Sequence, residues 1–398
     1  MSFKNEKGGM TMKMKKLFGM LLVLSLVIAS LAACGTKDGG SGDKDKFYIG
    51  GMGPLTGDAA SYGLHVKWSA EIAVDEINAA GGINGKQVEF KFEDDEHDPE
   101  KAVNAYNNLK DWGIQIVMGA VTSGPSLAVA EETKNDNMFM LTPSGSVPAV
   151  VKHDNAFQVC FSDPNQGTAS ARYINDKELA TKVAVIYDSS VVYSSGIYEN
   201  FAKEAQNSNF EIVAAEAFTA DSKSDFAVQL QKAKDSGAEL VFLPIYYQQA
   251  VLVLTQANDM GYKPIFFGCD GLDGILGVEN FDTALAEDVM LLTPFAADAT
   301  DEKTQSFVSK FKEAHNETPN QFGADAYDAI YILKEVIEAE NITPDMSVSD
   351  ITEGLRTGII KLNFDGLTGL GMTWEETGEV NKEPKAVIIK DGGYTLFD

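Results

Sequence analysis

Lys182-Val183-Ala184-Val185-Ile186-Tyr187 is one lysine followed by an unbroken apolar run of strand length. A continuous run of this kind, rich in branched residues, fits a strand buried on both faces of a parallel sheet. Helical spacing follows over 194–207, and then the strand-like Glu211-Ile212-Val213-Ala214-Ala215-Glu216-Ala217-Phe218. The rhythm continues with a helix over 226–236, the strand Glu239-Leu240-Val241-Phe242-Leu243-Pro244, a helix over 248–260 and the strand Pro264-Ile265-Phe266-Phe267-Gly268. Strands alternating with helices predict a parallel sheet assembled from right-handed crossover units.

The same rhythm occupies the region before it. Phe47-Tyr48-Ile49, Val88-Glu89-Phe90-Lys91-Phe92, Ile114-Gln115-Ile116-Val117-Met118 and Met138-Phe139-Met140-Leu141 read as strands. Between them, helices are expected over 62–79, where Val66, Ala70, Ala73, Val74 and Ile77 recur at threes and fours, over 99–109 and over 125–133. Gly81-Gly82 stops the first helix. Two successive series imply an α/β chain of two doubly wound lobes. The last third reads as a helix over 306–314, a longer one over 323–339, and then short strands.

The chain begins with a basic stretch containing Lys13, Lys15 and Lys16, followed by a short apolar run from Leu17 to Ala29 and then Leu31-Ala32-Ala33-Cys34. Basic, apolar and small-residue segments in that order form an export signal, too short for a typical membrane span of about 20 residues. The Leu-Ala-Ala-Cys ending resembles a bacterial lipobox, which implies cleavage before Cys34 and a lipid on its sulfur. Residues 34–46 are Gly- and charge-rich and read as a flexible tether.

The whole chain carries a formal charge of −27, and residues 1–33 contribute five Lys and one Glu, so the part from Cys34 onward carries −27 − 4 = −31. Such a body is repelled by nucleic acid and anionic headgroups. Its roughly 365 residues exceed one ordinary core. Cys160 and Cys269 are the only cysteines after Cys34, too few for a disulfide framework, and are expected as small buried apolar residues.

Gly53-Pro54-Leu55-Thr56-Gly57, Tyr62-Gly63 and the run from Ala73 to Gly85 together resemble the opening of the leucine/isoleucine/valine-type periplasmic binding proteins. Asp94-Asp95-Glu96-His97-Asp98-Pro99, Leu141-Thr142-Pro143-Ser144-Gly145-Ser146 and Phe364-Asp365-Gly366-Leu367-Thr368-Gly369 resemble later landmarks of the same family. The resemblance implies two Rossmann-like lobes joined by three crossings, with a solute in the cleft delivered to the permease and ATPase of an ABC importer. It implies lobes of 47–161 plus 294–372 and 162–293 plus 373–398. It also implies a monomer, no catalysis and no cofactor.

In doubly wound sheets, ligands bind beyond the carboxyl ends of the strands. Thr122-Ser123-Gly124 precedes a helix there and offers hydroxyls and N–H groups to a carboxylate. By local sequence alone a plain helix N-cap is the better reading; the resemblance assigns Ser123 to the ligand carboxylate. Ser144 and Ser146 lie in a loop that is locally only a turn; the resemblance adds the Ser146 hydroxyl and amide to the same carboxylate and offers the Ser144 carbonyl to an ammonium. From the second lobe come Tyr193, Tyr246 and Asp270; the resemblance places Tyr62 along the ligand side chain, whereas the residue by itself reads equally well as a core aromatic. Asp270 is the partner expected for an α-ammonium, since a buried carboxylate needs a cation; the family more often uses Glu, and Asp273 is the rival. Trp68 and Trp112 are expected in packing. The resemblance implies a disulfide, as in Gram-negative members of that family, at the positions where this chain has His97 and Thr122, so that bridge is not expected here.

Gly51-Met52-Gly53-Pro54-Leu55-Thr56-Gly57 has the wrong spacing for a dinucleotide loop, and Pro54 removes an amide. The acidic run 93–98 lacks calcium-loop spacing, the four His are scattered without metal spacing, and no nucleophile elbow occurs. The expected function is an extracytoplasmic, lipid-anchored binder of amino acids, branched-chain first, on a Gram-positive surface more than in a Gram-negative periplasm. The alternatives are another small solute such as an aromatic acid, an amide or urea, or a sensor subunit feeding a receptor.

Overall fold

The structure is a computed structural model that describes Met1, Ser2 and residues 43–397. The expected leader, Cys34 and most of the tether lie outside the described residues. The first strand opens at Lys46, one residue inside the expected tether, and pairs there with Gln87.

The first sheet contains β1 (Lys46–Gly53), β2 (Gln87–Asp94), β3 (Ile116–Gly119), β4 (Met140–Thr142) and β5 (Ala156–Gln158). All pairs are parallel, in the order β2-β1-β3-β4-β5. Its helices are α1 (Ala60–Ala79), α2 (Pro99–Trp112) and α3 (Ser123–Asp136). The Asp98 side chain caps α2 by accepting from the N–H groups of Glu100 and Lys101, and Gly113 ends the helix at a φ of 102°. Both are local signals that the sequence carries openly.

The second lobe contains α4 (Asp163–Asp176), β6 (Lys182–Asp188), α5 (Val192–Ala205), β7 (Glu211–Phe218), α6 (Ala227–Asp235), β8 (Leu240–Leu243), α7 (Tyr247–Asp259), β9 (Ile265–Gly268) and β10 (Met290–Thr293). The chain continues through α8 (Glu302–His315), α9 (Gln321–Ala339), α10 (Val348–Ile359), a small hairpin of β11 (Thr373–Trp374) and β12 (Val380–Asn381), and then β13 (Lys385–Lys390) and β14 (Gly393–Leu396). The second sheet runs β14-β13-β10-β9-β8-β6-β7. It repeats the winding of the first and adds two antiparallel strands beyond β10. β3, β4 and β8 are buried along their whole length, as continuous apolar strands in covered parallel sheets must be.

The chain passes to the second sheet between β5 and β6, returns after β10 and passes back before β13. Helix α9 packs on α1 of the first lobe. A Cβ at Gly323 would lie 2.6 Å from Ser69 Oγ, so glycine permits that approach. The β11–β12 hairpin is tied to β5, where the Trp374 indole donates to the Gln158 carbonyl at 2.8 Å. Trp68 stacks on His315 at 4.3 Å and Trp112 meets Tyr48 edge-on at 5.1 Å, both in packing roles.

Four elements were not expected. The sequence after 339 predicts short strands, but its first element is helix α10. Val348, Ile351, Leu355 and Ile359 share one helical face and Ser347 caps it; two glycines and the β-branched residues mask that periodicity. Helix α4 is rich in small polar residues and has no continuous apolar stripe to reveal it. β5 and β10 are only three and four residues long.

Candidate functional site

The loops after β1, β3 and β4 in the first lobe meet those after β8 and β9 in the second across a narrow cavity. Its volume is about 260 Å³, counting space open to solvent at its mouth. All eight residues expected at the site line this one space: Tyr62, Thr122, Ser123, Ser144, Ser146, Tyr193, Tyr246 and Asp270. Val121, Gly271 and Phe322 complete the lining.

The first lobe presents hydroxyls and a helix start. Thr122 precedes α3 with extended backbone (φ −98°, ψ 152°), and its side chain makes no capping hydrogen bond. Thr122 therefore stands at the N-cap position of α3 without using its hydroxyl to cap it. Thr122 Oγ1 instead lies 2.8 Å from His97 Nδ1, so the two residues are joined by a hydrogen bond. Ser123 Oγ and Ser146 Oγ face each other at 3.5 Å. The Ser144 hydroxyl is committed to the Val121 carbonyl at 2.7 Å, and Thr142 Oγ1 donates to the Ala120 carbonyl at 2.7 Å. The β3 and β4 loops are thereby locked together. A Cβ at Gly145 would come within 2.4 Å of Ser126 Oγ, so no side chain fits at this turn.

The second lobe presents a carboxylate. Asp270 is 2% exposed. Its Oδ1 accepts from the Tyr193 hydroxyl at 2.6 Å and its Oδ2 from Gln166 Nε2 at 3.0 Å. Burial pushes its pKa up to about 7, against the pull of the hydrogen bonds from Tyr193, the Gly271 amide and Gln166. Asp273 is not part of this space: its carboxylate accepts from the Gln321 N–H at 2.8 Å, and it lines a separate groove.

Aromatic rings wall the cavity. Tyr193 stacks on Tyr246 at 4.9 Å, and Tyr62 meets Tyr246 at 5.6 Å and Phe322 at 4.6 Å. The lobes also bond directly: the Tyr62 hydroxyl donates to the Gly271 carbonyl at 2.5 Å and accepts from the Tyr247 N–H at 3.3 Å. The structure is thus a closed cleft.

Sequence reasoning missed two groups here. Phe322 enters from α9, far along the chain, with no local signal. Asp163, at the start of α4, is fully buried, and neither carboxylate oxygen has a hydrogen-bond partner. Its N–H donates to the Ser146 carbonyl at 3.0 Å. Burial pushes its pKa well up, the Ser146 hydroxyl is near enough to offset part of this, and Asp270 adds to the rise. No basic side chain lines the cavity. Among the described residues no group of His, Cys, Asp or Glu could hold a metal ion, and no helix is long and apolar enough to cross a membrane. Cys160 and Cys269 are both buried and free.

The sequence pattern of the periplasmic binding proteins matches residues 46–393. The chain belongs to the periplasmic binding protein family. Among the relatives of this periplasmic binding protein, Leu/Ile/Val-binding protein homolog 3 of Brucella melitensis is 29% identical over 377 residues, covering 92% of this chain and 97% of the relative. The leucine-, isoleucine-, valine-, threonine-, and alanine-binding protein of Pseudomonas aeruginosa is 27% identical, covering 93% and 94%. The branched-chain amino acid transporter substrate binding protein LivJ of Streptococcus pneumoniae, solved with isoleucine, superposes with a TM-score of 0.80 at 27% identity, covering 88% of this chain and 98% of that one. These likenesses bear out the two-lobed α/β fold expected from the sequence.

Proposed function

We propose that the protein captures an amino acid, Leu, Ile or Val first, between its lobes and delivers it to an ABC importer from a lipid anchor at Cys34. The observation that carries this is the polarity of one closed space. Hydroxyls and uncapped helix N–H groups stand on the first lobe, a buried carboxylate on the second, and rings stand between. A zwitterion matches both ends: its carboxylate suits Ser123, Ser146 and the start of α3, and its ammonium suits Asp270. The rings of Tyr62, Tyr246 and Phe322 then enclose an apolar side chain. The absence of a basic group from the lining disfavours a ligand carrying carboxylate alone.

The names of the curated relatives support the ligand class, and the family implies a location outside the cytoplasm. The lobes are taken as 47–161 plus 294–372 and 162–293 plus 373–398. A ligand touching both favours closure by its differential affinity for the closed state, and a permease would read that closure. No step in this cycle requires covalent chemistry.

The test is titration calorimetry of the protein, unfolded and refolded to strip carried-over ligand, against the twenty amino acids. Micromolar or tighter binding of Leu, Ile or Val is expected. Silence across all twenty would overturn the assignment and move the search to amides and to aromatic acids such as benzoate, with which a solute binding protein of Rhodopseudomonas palustris, 18% identical, was solved.

A further inference from the structure

The acidic loop between β2 and α2 is built to aim one side chain. Asp94 accepts from the N–H groups of Leu55 and Glu96 at 2.8 and 2.9 Å and from the Thr56 hydroxyl at 2.8 Å. Asp95, fully buried, accepts from the His97 N–H at 2.9 Å. Glu96 and His97 are consecutive residues in the left-handed region, at φ 49° and 60°. Such a conformation in non-glycine residues is unfavourable and persists only where surrounding contacts hold it. Its result is that the half-buried imidazole of His97 lies between the two lobes.

On one side His97 Nδ1 bonds Thr122 Oγ1 at 2.8 Å, directly beside Ser123 and the start of α3. On the other, its ring meets Tyr246 of the second lobe edge-to-face at 5.6 Å and 80°. Thr122 and Tyr246 both line the cavity while His97 stands behind them. At the same rim Lys223 of the second lobe pairs with Asp58 of the first.

We propose that His97 is a positioning residue of the ligand site, holding the Thr122–Ser123 loop in place and clasping it to Tyr246 when the lobes close. This rests on the amino-acid reading of the cleft. Two consequences follow. Thr122 and His97 act as one unit, so losing either has the effect of losing both. Closure also disfavours the imidazolium, because burial first and then Lys223 push its pKa down, opposed by Asp58, Asp98 and Asp188. Opening removes Tyr246, and with it the largest cause, burial; it also removes Lys223 and, in the opposite sense, the more weakly acting Asp188. Ligand-driven closure therefore expels a proton from His97, and acid weakens binding through this residue.

The full-length protein and its His97→Ala, His97→Asn, Thr122→Val and His97→Ala/Thr122→Val variants are titrated with leucine at pH 8 and pH 5.5. His97→Ala and Thr122→Val each weaken binding about fivefold at pH 8, and the double variant is no weaker than about tenfold. His97→Asn keeps a polar atom near the Nδ1 position, so it restores affinity at pH 8. It loses at least about threefold less affinity than wild type on going to pH 5.5. Multiplicative losses in the double variant, or equal acid losses in wild type and His97→Asn, overturn the proposal. Failure of the wild type to bind any amino acid refutes the ligand reading instead. The proposal is then decided without ligand by the NMR titration of the His97 ring proton. The Thr122 bond lies within the first lobe and does not depend on closure: a midpoint that moves in Thr122→Val supports the proposal, and a midpoint indifferent to that substitution overturns it.

Discussion

Asp270→Asn is the sharpest probe of the cleft, because it keeps the side chain's shape and removes only its charge. The carboxylate is fully enclosed and held by Tyr193 and Gln166. Losing one partner of a buried, hydrogen-bonded charge pair costs about 2 kcal/mol or more, or about 30-fold in Kd. The pH profile gives a second reading. In the free site Asp270 ionises at about 7, whereas a bound ammonium favours the ionised form and lowers that value. Binding then releases a proton, so affinity rises with pH and levels off above about 7. Between pH 6 and 7.5 the ionised fraction of a group with that pKa grows about eightfold, and wild-type affinity for leucine rises by about that factor. The variant loses this part of the profile.

Stability moves the other way. A carboxyl raised from its ordinary 3.8 to about 7 in the folded state stabilises the fold fully below 3.8 and loses that contribution as pH rises through 7. The interval corresponds to about 4 kcal/mol at roughly 1.36 kcal/mol per pKa unit. Ligand-free Asp270→Asn should therefore melt at least about 2 °C above wild type at pH 8 while binding leucine more weakly. Calorimetric titration gives Kd, and differential scanning calorimetry gives the Tm. A Kd within about threefold of wild type at pH 7.5 would refute the ammonium–carboxylate reasoning, as would an unchanged pH slope.

Three other outcomes are expected. Gly271→Ala places a Cβ 2.6 Å from the Tyr193 hydroxyl and 2.8 Å from the Ile245 carbonyl; leucine affinity should fall at least about tenfold, because overpacking costs about 1–3 kcal/mol at the closed cleft, and calorimetry would show it. Lys382→Met strands Asp325, whose carboxylate lies 2.6 Å from the ammonium with both side chains almost fully buried; urea unfolding should show a loss of about 3–5 kcal/mol, and the loss should shrink when Asp325→Asn is added. Cys34→Ala should shift the protein from the membrane fraction to the soluble fraction on cell fractionation, with no lipid adduct by mass spectrometry.

Much of the fold was legible because its signals are local. The apolar run of β6, the Asp98 cap with Gly113 at the end of α2, and the spacing of α1 each occupy a few adjacent residues, and backbone hydrogen bonding acts over that range. The elements that escaped, α4, α10, β5 and β10, are short or lack an uninterrupted apolar stripe. They form because neighbouring layers cover them, which no local pattern records.

The sequence alone determined the alternation of strands and helices, hence two doubly wound sheets, and which loops lie at strand ends. It also placed hydroxyl side chains at Ser123 and Ser146 and a carboxyl at Asp270 in those loops. Only the tertiary structure decided that Asp270 rather than Asp273 faces the cleft, that Thr122 bonds His97 instead of capping α3, and that Phe322 and the unpartnered Asp163 belong to the same region. Those facts depend on which side chains from distant segments are buried together. Burial also raises the pKa of Asp270, because desolvation is a property of the assembled neighbourhood and not of any stretch of chain.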